Sequence, residues 1–171
     1  MNRLRLLITV FALALFTATG AQAAGKPPQP SQSIDINQTV TRVQLAEGVS
    51  ADDAIDALQS RAIALNMKLV AHQPLSKELK ARGIDSGRLE IFQFCNPEDA
   101  YKMVSFNPIF AAYMPCRIAL VEQPDGTTWL MMINLNMLIN NTELPPELKA
   151  MATKINNNLM EIMQAGATGA F

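Results

Sequence analysis

Hydrophobic and polar positions follow two different periods along the chain, and each change of period predicts where a strand gives way to a helix. Residues 39–45 are rich in β-branched side chains and predict a first strand. Apolar residues then recur at helical spacing and share one face: Ile55, Leu58, Ala62 and Leu65. Ser50 precedes this segment and Asp53 lies three residues later, which is typical of a capping box. The segment after Ser50 is therefore predicted to be a helix.

The rest of the chain continues as strands and helices in mixed order. Further strands are predicted at 68–71, 88–95, 116–122 and 129–133, and helices at 74–82, after Asn96, and from Pro146 onward. Strands mixed with helices predict an α+β two-layer sandwich, in which a mixed β-sheet of about five strands carries helices packed on one face. A helix joins strands 88–95 and 116–122, so we expect these two strands to be parallel.

The first 23 residues show the three parts of a secretory signal. Arg3 and Arg5 precede an apolar run, and Ala21-Gln22-Ala23 places small residues where a signal peptidase reads them. The run of about 11 residues is shorter than the about 20 residues that a membrane-spanning helix needs. We therefore predict cleavage after Ala23, export to the periplasm as a soluble protein, and no integral membrane association after cleavage.

Four segments are predicted: a signal peptide at 1–23, a disordered Pro-rich leader at 24–36, an α+β core domain at 37–140 and a C-terminal helical extension at 141–171. Removing 23 of the 171 residues leaves 148, which is the size of one ordinary domain. The whole chain has a net charge of −1, and the signal carries two arginines and no acid, so the mature chain has a net charge of −3. Such a weakly acidic chain does not predict binding to nucleic acid.

The most distinctive segment lies between residues 94 and 121. One strand ends in Phe94-Cys95-Asn96-Pro97, Asn107-Pro108 follows, and Met114-Pro115-Cys116-Arg117 begins the next strand. Asn96 is a residue type that caps helices, and proline is favoured in the first helical turn, so a helix is predicted to begin at Pro97.

This pair of motifs resembles the domain of unknown function 302 family. That family has a strand ending in Cys-Asn-Pro, a helix carrying an alanine, a polar residue before proline, and a Leu-Pro-Cys-like start of the next strand. Met114 stands where leucine is usual and Asn107 where aspartate is usual. The resemblance covers about residues 38 to 140. It implies a compact α+β fold and a tendency of the protein to form dimers, and the family has no agreed activity. We therefore expect a homodimer, with the final helix added to the family core.

Cys95 and Cys116 are the chain's two cysteines, and one lies in each half of the motif pair. In an oxidising periplasm they could form a disulfide, but parallel strands would separate them unless residues 108–115 double back. They could instead be buried unpaired thiols, or serve a redox, metal or cofactor role. A zinc site needs about four ligands. Because the chain has a single histidine, His72, which we interpret as an ordinary strand-end residue, no metal site is predicted.

The sequence does not by itself disclose a biochemical activity, and it favours binding over catalysis. It contains none of the GxSxG, HExxH, P-loop or GxGxxG motifs, so we predict no catalytic residue and identify no cofactor. We expect a non-enzymatic periplasmic module that binds a small or apolar ligand or acts as an accessory protein. The candidate ligand-binding residues surround the predicted helix start, where backbone N–H groups can hold a polar group: Cys95, Asn96, Pro97, Pro115 and Cys116. One alternative is a thiol-based redox or metal-handling protein that uses Cys95 and Cys116, and another is a structural role as an oligomeric scaffold.

Overall fold

A computed structural model of the chain describes residues 33–170. The predicted signal peptide, 1–23, and residues 24–32 of the predicted leader lie outside the described residues. Within residues 33–170, no helix has both the length and the apolar character that crossing a bilayer requires.

The described residues form strands and helices in nearly the predicted order. The strands are β1 (Val40–Gln44), β2 (Lys68–Gln73), β3 (Leu89–Cys95), β4 (Cys116–Glu122) and β5 (Thr128–Ile133). The α-helices are α1 (Ala51–Ala64), α2 (Leu75–Ala81), α3 (Pro97–Phe106), α4 (Leu135–Asn140) and α5 (Pro146–Thr168). Two 3-10 helices, at Ile36–Thr39 and Pro108–Tyr113, and the short helix α4 were not predicted from the sequence.

The sheet has the strand order β1-β5-β4-β3-β2, and every neighbouring pair is antiparallel. The α+β class is confirmed, but the predicted mixed sheet and the parallel pairing of β3 with β4 are wrong. Helix α3 leads the chain away from the end of β3. The 3-10 helix Pro108–Tyr113 follows, and β4 then begins at the same end of the sheet at which β3 ended. Phe94 near the end of β3 therefore pairs with Cys116 at the start of β4.

The helix ends follow local signals in the sequence. Ser50 Oγ accepts a hydrogen bond from the backbone N–H of Asp53, and Asp53 Oδ2 accepts one from the backbone N–H of Ser50, so the predicted capping box is confirmed. Asn66, with φ at 56°, follows the end of α1 in the left-handed region that asparagine tolerates. Asn96 caps α3 and Pro97 occupies its first turn, as the motif predicted.

Helices α1 and α5 pack together over one face of the sheet and build the core with it. The largest fully buried apolar side chains come from both layers: Leu58, Phe92, Phe94, Ile118, Leu120, Leu130, Leu159, Ile162 and Met163. Gly166 of α5 lies so close to Leu58 of α1 that an added Cβ would stand 2.7 Å from Leu58 Cγ. Helix α5 therefore belongs to the same hydrophobic core as the sheet, although the predicted segment 141–171 set it apart from the core domain.

Candidate functional site

A cleft opens where strands β4 and β5 diverge. The two strands pair from Glu122↔Thr128 to Ala119↔Met131, and their pairing ends there. Beyond that point β4 continues its pairing with β3, while β5 continues with β1. One end of the sheet is thus divided between β4 and β5.

The first cavity, of about 350 Å³, lies at this divergence. Side chains on the helix-free face of the sheet, including Ile91, Ala119 and Met131, line one part of it, and Leu159 of α5 lines another. Its lining is apolar or aromatic apart from the side chain of Arg117. The cavity therefore combines an apolar wall with one cation.

A second cavity of about 320 Å³ adjoins the first. It is bounded by α3, the 3-10 helix Pro108–Tyr113, α4 and α5, and Met103 and Ile155 contribute to its apolar wall. Tyr113, Cys116 and Leu135 line both cavities. These three residues form a wall that the two cavities share, and together the two cavities are called the β4/β5 cleft below.

The five predicted ligand-binding residues are divided by the structure. Pro115 and Cys116 line the cleft, whereas Cys95, Asn96 and Pro97 line neither cavity. Asn96 is engaged within the fold, because its Oδ1 accepts hydrogen bonds from the backbone N–H groups of Glu98 and Asp99, both at 3.1 Å. Since these N–H groups at the start of α3 already donate to Asn96, they are not free to donate hydrogen bonds to a ligand.

A charged cluster that the sequence analysis did not identify lies on the helix-covered face. Glu90 of β3 is only 2% exposed. His72 Nε2 donates to Glu90 Oε2 at 2.6 Å, and Arg88 Nε donates to Glu90 Oε1 at 2.5 Å. Arg88 Nη2 also donates to Asp52 Oδ1 of α1 at 2.6 Å. The interpretation of His72 as an ordinary strand-end residue therefore omitted its buried partner.

The cluster holds the Glu90 carboxylate in its charged form. Burial acts to raise the pKa of Glu90, but the hydrogen bonds from Arg88 and His72 and the charges of those residues outweigh burial and lower the pKa. His72 also stacks on Phe92 with ring centroids 4.5 Å apart.

Within residues 33–170, no group of three or more histidine, cysteine or acidic side chains is placed to hold a metal ion.

Comparison with known proteins identifies the family. The model of the family described as Domain of unknown function DUF302 matches residues 31–166. The chain belongs to the DUF302 family. The DUF302 match extends from before β1 into α5 and confirms the resemblance carried by the Cys-Asn-Pro and Met-Pro-Cys motifs.

Two known proteins are similar to this DUF302 protein. An uncharacterized protein of Aquifex aeolicus is 25% identical over 120 residues, which cover 69% of this chain and 78% of the relative. The crystal structure of an uncharacterized conserved protein DUF302 from Bacillus stearothermophilus matches with a TM-score of 0.62 at 22% identity. That match covers 74% of this chain and 97% of the Bacillus chain, and it shows that the two share a fold.

The two cysteines of the DUF302 motif lie on neighbouring strands but on opposite faces of the sheet. Cys116 pairs with the buried Phe94, so it shares the helix-covered face with that residue. Cys95 follows Phe94 and points to the other face, because successive side chains alternate along a strand. Both thiols are free in the structure, and the predicted disulfide, which would need the two side chains to converge, stays a prediction.

Both thiols of this DUF302 protein are expected to react slowly when the protein is folded. Burial is the larger cause, and the nearby Cys95 the smaller one, that raise the pKa of Cys116 to about 11. The pKa of Cys95 is also raised, mainly by burial and to a lesser extent by the charge of Asp99. At about pH 7.5 a thiol with a pKa near 11 has roughly 300-fold less thiolate than an ordinary cysteine. In a Cys95→Ser variant, reaction of Cys116 with Ellman's reagent should be at least about tenfold slower in folded than in unfolded protein. The factor should be smaller than the thiolate ratio, because the variant lacks the contribution of Cys95 and a thiolate of higher pKa is more nucleophilic.

A Cys116→Ser variant gives the matching measurement for Cys95. Equal reaction rates for folded and unfolded Cys116 would contradict the prediction. If the untreated wild type has no titratable thiol and gains two on reduction, the disulfide is established instead.

Proposed function

We propose that this chain is an exported, non-enzymatic module that binds a small apolar ligand in the β4/β5 cleft. The observation that carries the proposal is the junction of the two cavities at Tyr113, Cys116 and Leu135. Pockets for small molecules usually have volumes of roughly 300–1,000 Å³ and mostly apolar walls with a few polar groups. Both cavities fit this description in size and lining.

The thiol-based alternative has less support. Redox and metal-handling cysteines need thiolate character at neutral pH, whereas burial raises the pKa of both Cys95 and Cys116. Cys116 is better interpreted as part of the wall where the cavities meet.

Two further parts of the proposal depend on other features. Export depends on the basic, apolar and small-residue pattern of residues 1–23. The proposed homodimer has support from half-buried apolar side chains on the sheet face opposite α1 and α5 that line neither cavity, namely Val121 and its strand partner Trp129. Sedimentation at several protein concentrations would test the dimer, and mass measurement of protein secreted by its host would test cleavage after Ala23.

Binding of an uncharged apolar dye tests the ligand site. N-phenyl-1-naphthylamine should bind the wild type saturably, with a rise in its fluorescence. Leu135→Trp places a larger ring where the cavities meet, and we expect it to weaken dye binding by about tenfold or more, equivalent to about 1.4 kcal/mol. The matched control is Ile63→Trp, because Ile63 is 77% exposed on α1 and lines neither cavity.

Circular dichroism of both tryptophan variants would verify that they fold. The proposal is contradicted if the wild type does not bind the dye, or if folded Leu135→Trp and Ile63→Trp bind it with equal affinity.

A further inference from the structure

From the position of Arg117 we infer that the β4/β5 cleft binds a monocarboxylate with an unbranched apolar chain, its carboxylate on Arg117 and its chain directed past Cys116 into the second cavity. This inference rests on the proposed ligand site and adds the chemical class of the ligand.

Arg117 is exposed on β4, pairs with Gln93 across the sheet and lines the first cavity. Among residues 33–170 its guanidinium has no ion-pair or hydrogen-bond partner. Three other arginines are engaged: the Arg61 side chain donates to Glu161 at 3.1 Å, Arg88 binds Asp52 and Glu90, and Arg42 lies over the Trp129 ring at 5.1 Å. Arg82 has no ion-pair partner within residues 33–170 either, but it lines neither cavity. A free guanidinium beside an apolar cavity has the geometry to bind a carboxylate through two parallel hydrogen bonds.

The charges of the two cavities give the ligand a direction. Arg117 is the charged side chain that lines the first cavity, whereas Glu143 lines the second. An anionic head group is attracted by the positive charge of Arg117 and repelled by the negative charge of Glu143. The head therefore belongs at Arg117, and the chain extends toward Leu135 and Ile155.

The lining along this path suits a hydrocarbon chain. Ala119 and Met131 lie beside Arg117 in the first cavity, and Met103 and Ile155 continue the apolar wall in the second. Methionine and isoleucine side chains supply apolar contacts, and each methylene that the cleft buries should raise affinity about fourfold, equivalent to about 0.8 kcal/mol. Affinity should thus increase with chain length until the second cavity is filled.

Paired ligands that differ only in the head group test this assignment on the full mature chain. Dodecanoate and dodecan-1-ol share one apolar chain, and displacement of N-phenyl-1-naphthylamine is measured below the concentration at which the acid forms micelles and below the solubility limit of the alcohol. We expect the wild type to bind dodecanoate at least about tenfold more tightly than the alcohol, since hydrogen bonds to charged groups are the stronger class.

The Arg117→Gln variant should bind dodecanoate and dodecan-1-ol equally, with unchanged affinity for the alcohol. Arg82→Gln is the matched control, because Arg82 is exposed at the end of α2 and lines neither cavity, and it should keep the preference for the acid. A wild type without preference for the acid, or the same preference in Arg117→Gln, would overturn the assignment while dye binding still supports the apolar site. Failure of dye, acid and alcohol alike to bind would overturn the proposed function as well.

Discussion

Replacing Arg88 with methionine is expected to lower the free energy of unfolding by about 3 kcal/mol at neutral pH. The change leaves Glu90 buried without the guanidinium that donates to Oε1, and removing one partner of a buried ion pair typically costs about 3–5 kcal/mol. We expect the lower end because His72 still donates to Oε2 and because the Arg88 side chain is 31% exposed. Chemical denaturation of both proteins measures the difference.

The pH dependence of this loss distinguishes the buried carboxylate from a general packing defect. In the wild type the pKa of folded Glu90 lies below its ordinary value, so the unfolded state takes up the proton first as the pH falls. The stabilisation is complete above the unfolded pKa and is lost as the pH falls through the folded pKa. Without Arg88, only His72 counteracts the effect of burial, so the pKa of folded Glu90 rises and protonation of its carboxylate costs less free energy. The difference between wild type and Arg88→Met should therefore shrink as the pH is lowered toward about 4.

A matched substitution on the surface serves as the control. Arg82→Met removes an exposed arginine and should change the free energy of unfolding by about 0.5 kcal/mol or less. A loss in Arg88→Met no larger than that of Arg82→Met, or one that stays constant as the pH falls, would show that the Arg88–Glu90 contact does not stabilise the fold.

Replacing Gly166 with valine should destabilise the protein by about 3 kcal/mol, at the upper end of the usual cost of overpacking a core. Even a single added Cβ would lie 2.7 Å from Leu58 Cγ, 2.8 Å from Leu58 Cδ2 and 3.0 Å from Leu130 Cδ1. Both leucines are fully buried, so neither can swing into solvent to make room. The helix propensity of valine exceeds that of glycine by only a few tenths of a kcal/mol, which does not offset the clash. Thermal and chemical unfolding measure the change.

Two further variants isolate the contact between α5 and α1. Gln164→Val places the same side chain on the exposed side of α5 and should cost less than about 1 kcal/mol. In a Leu58→Ala background the added valine gains space, so its cost should fall below that in the wild type. Equal costs for Gly166→Val in the two backgrounds would contradict the close approach of α5 to α1.

Local signals in the sequence were sufficient to predict the five strands and four of the five α-helices, because caps and turns depend on neighbouring residues. Ser50 with Asp53, and Asn96 with Pro97, each predicted a helix start that the structure confirms. The direction of β4 depends on the path between two strands, and the 3-10 helix Pro108–Tyr113 has no strong periodic signal. The rule for helical crossovers therefore predicted the wrong orientation for β3 and β4.

The site was predicted only in part, for a related reason. The motif drew attention to Pro115 and Cys116, but the cleft arises from the pairing of β4 with β3 and of β5 with β1, which involves residues far apart in the chain. Glu90 did leave a signal that was not used. It alternates with Phe92 and Phe94, so a period of two already placed a carboxylate on the core face of β3.

The position of β1 at the edge of the sheet affects how the chain folds. Its strand neighbour is β5, and Val40 pairs with Ile133 across about 90 residues of intervening chain. Contacts at such separation slow folding, because the long loop must close before any of its pairings forms. During synthesis from the N-terminus, β1 has no strand to join until β5 has emerged from the ribosome. We therefore expect the native sheet to be completed late, when β1 docks onto the edge of the β4–β5 hairpin, whose strands are the last to be synthesised.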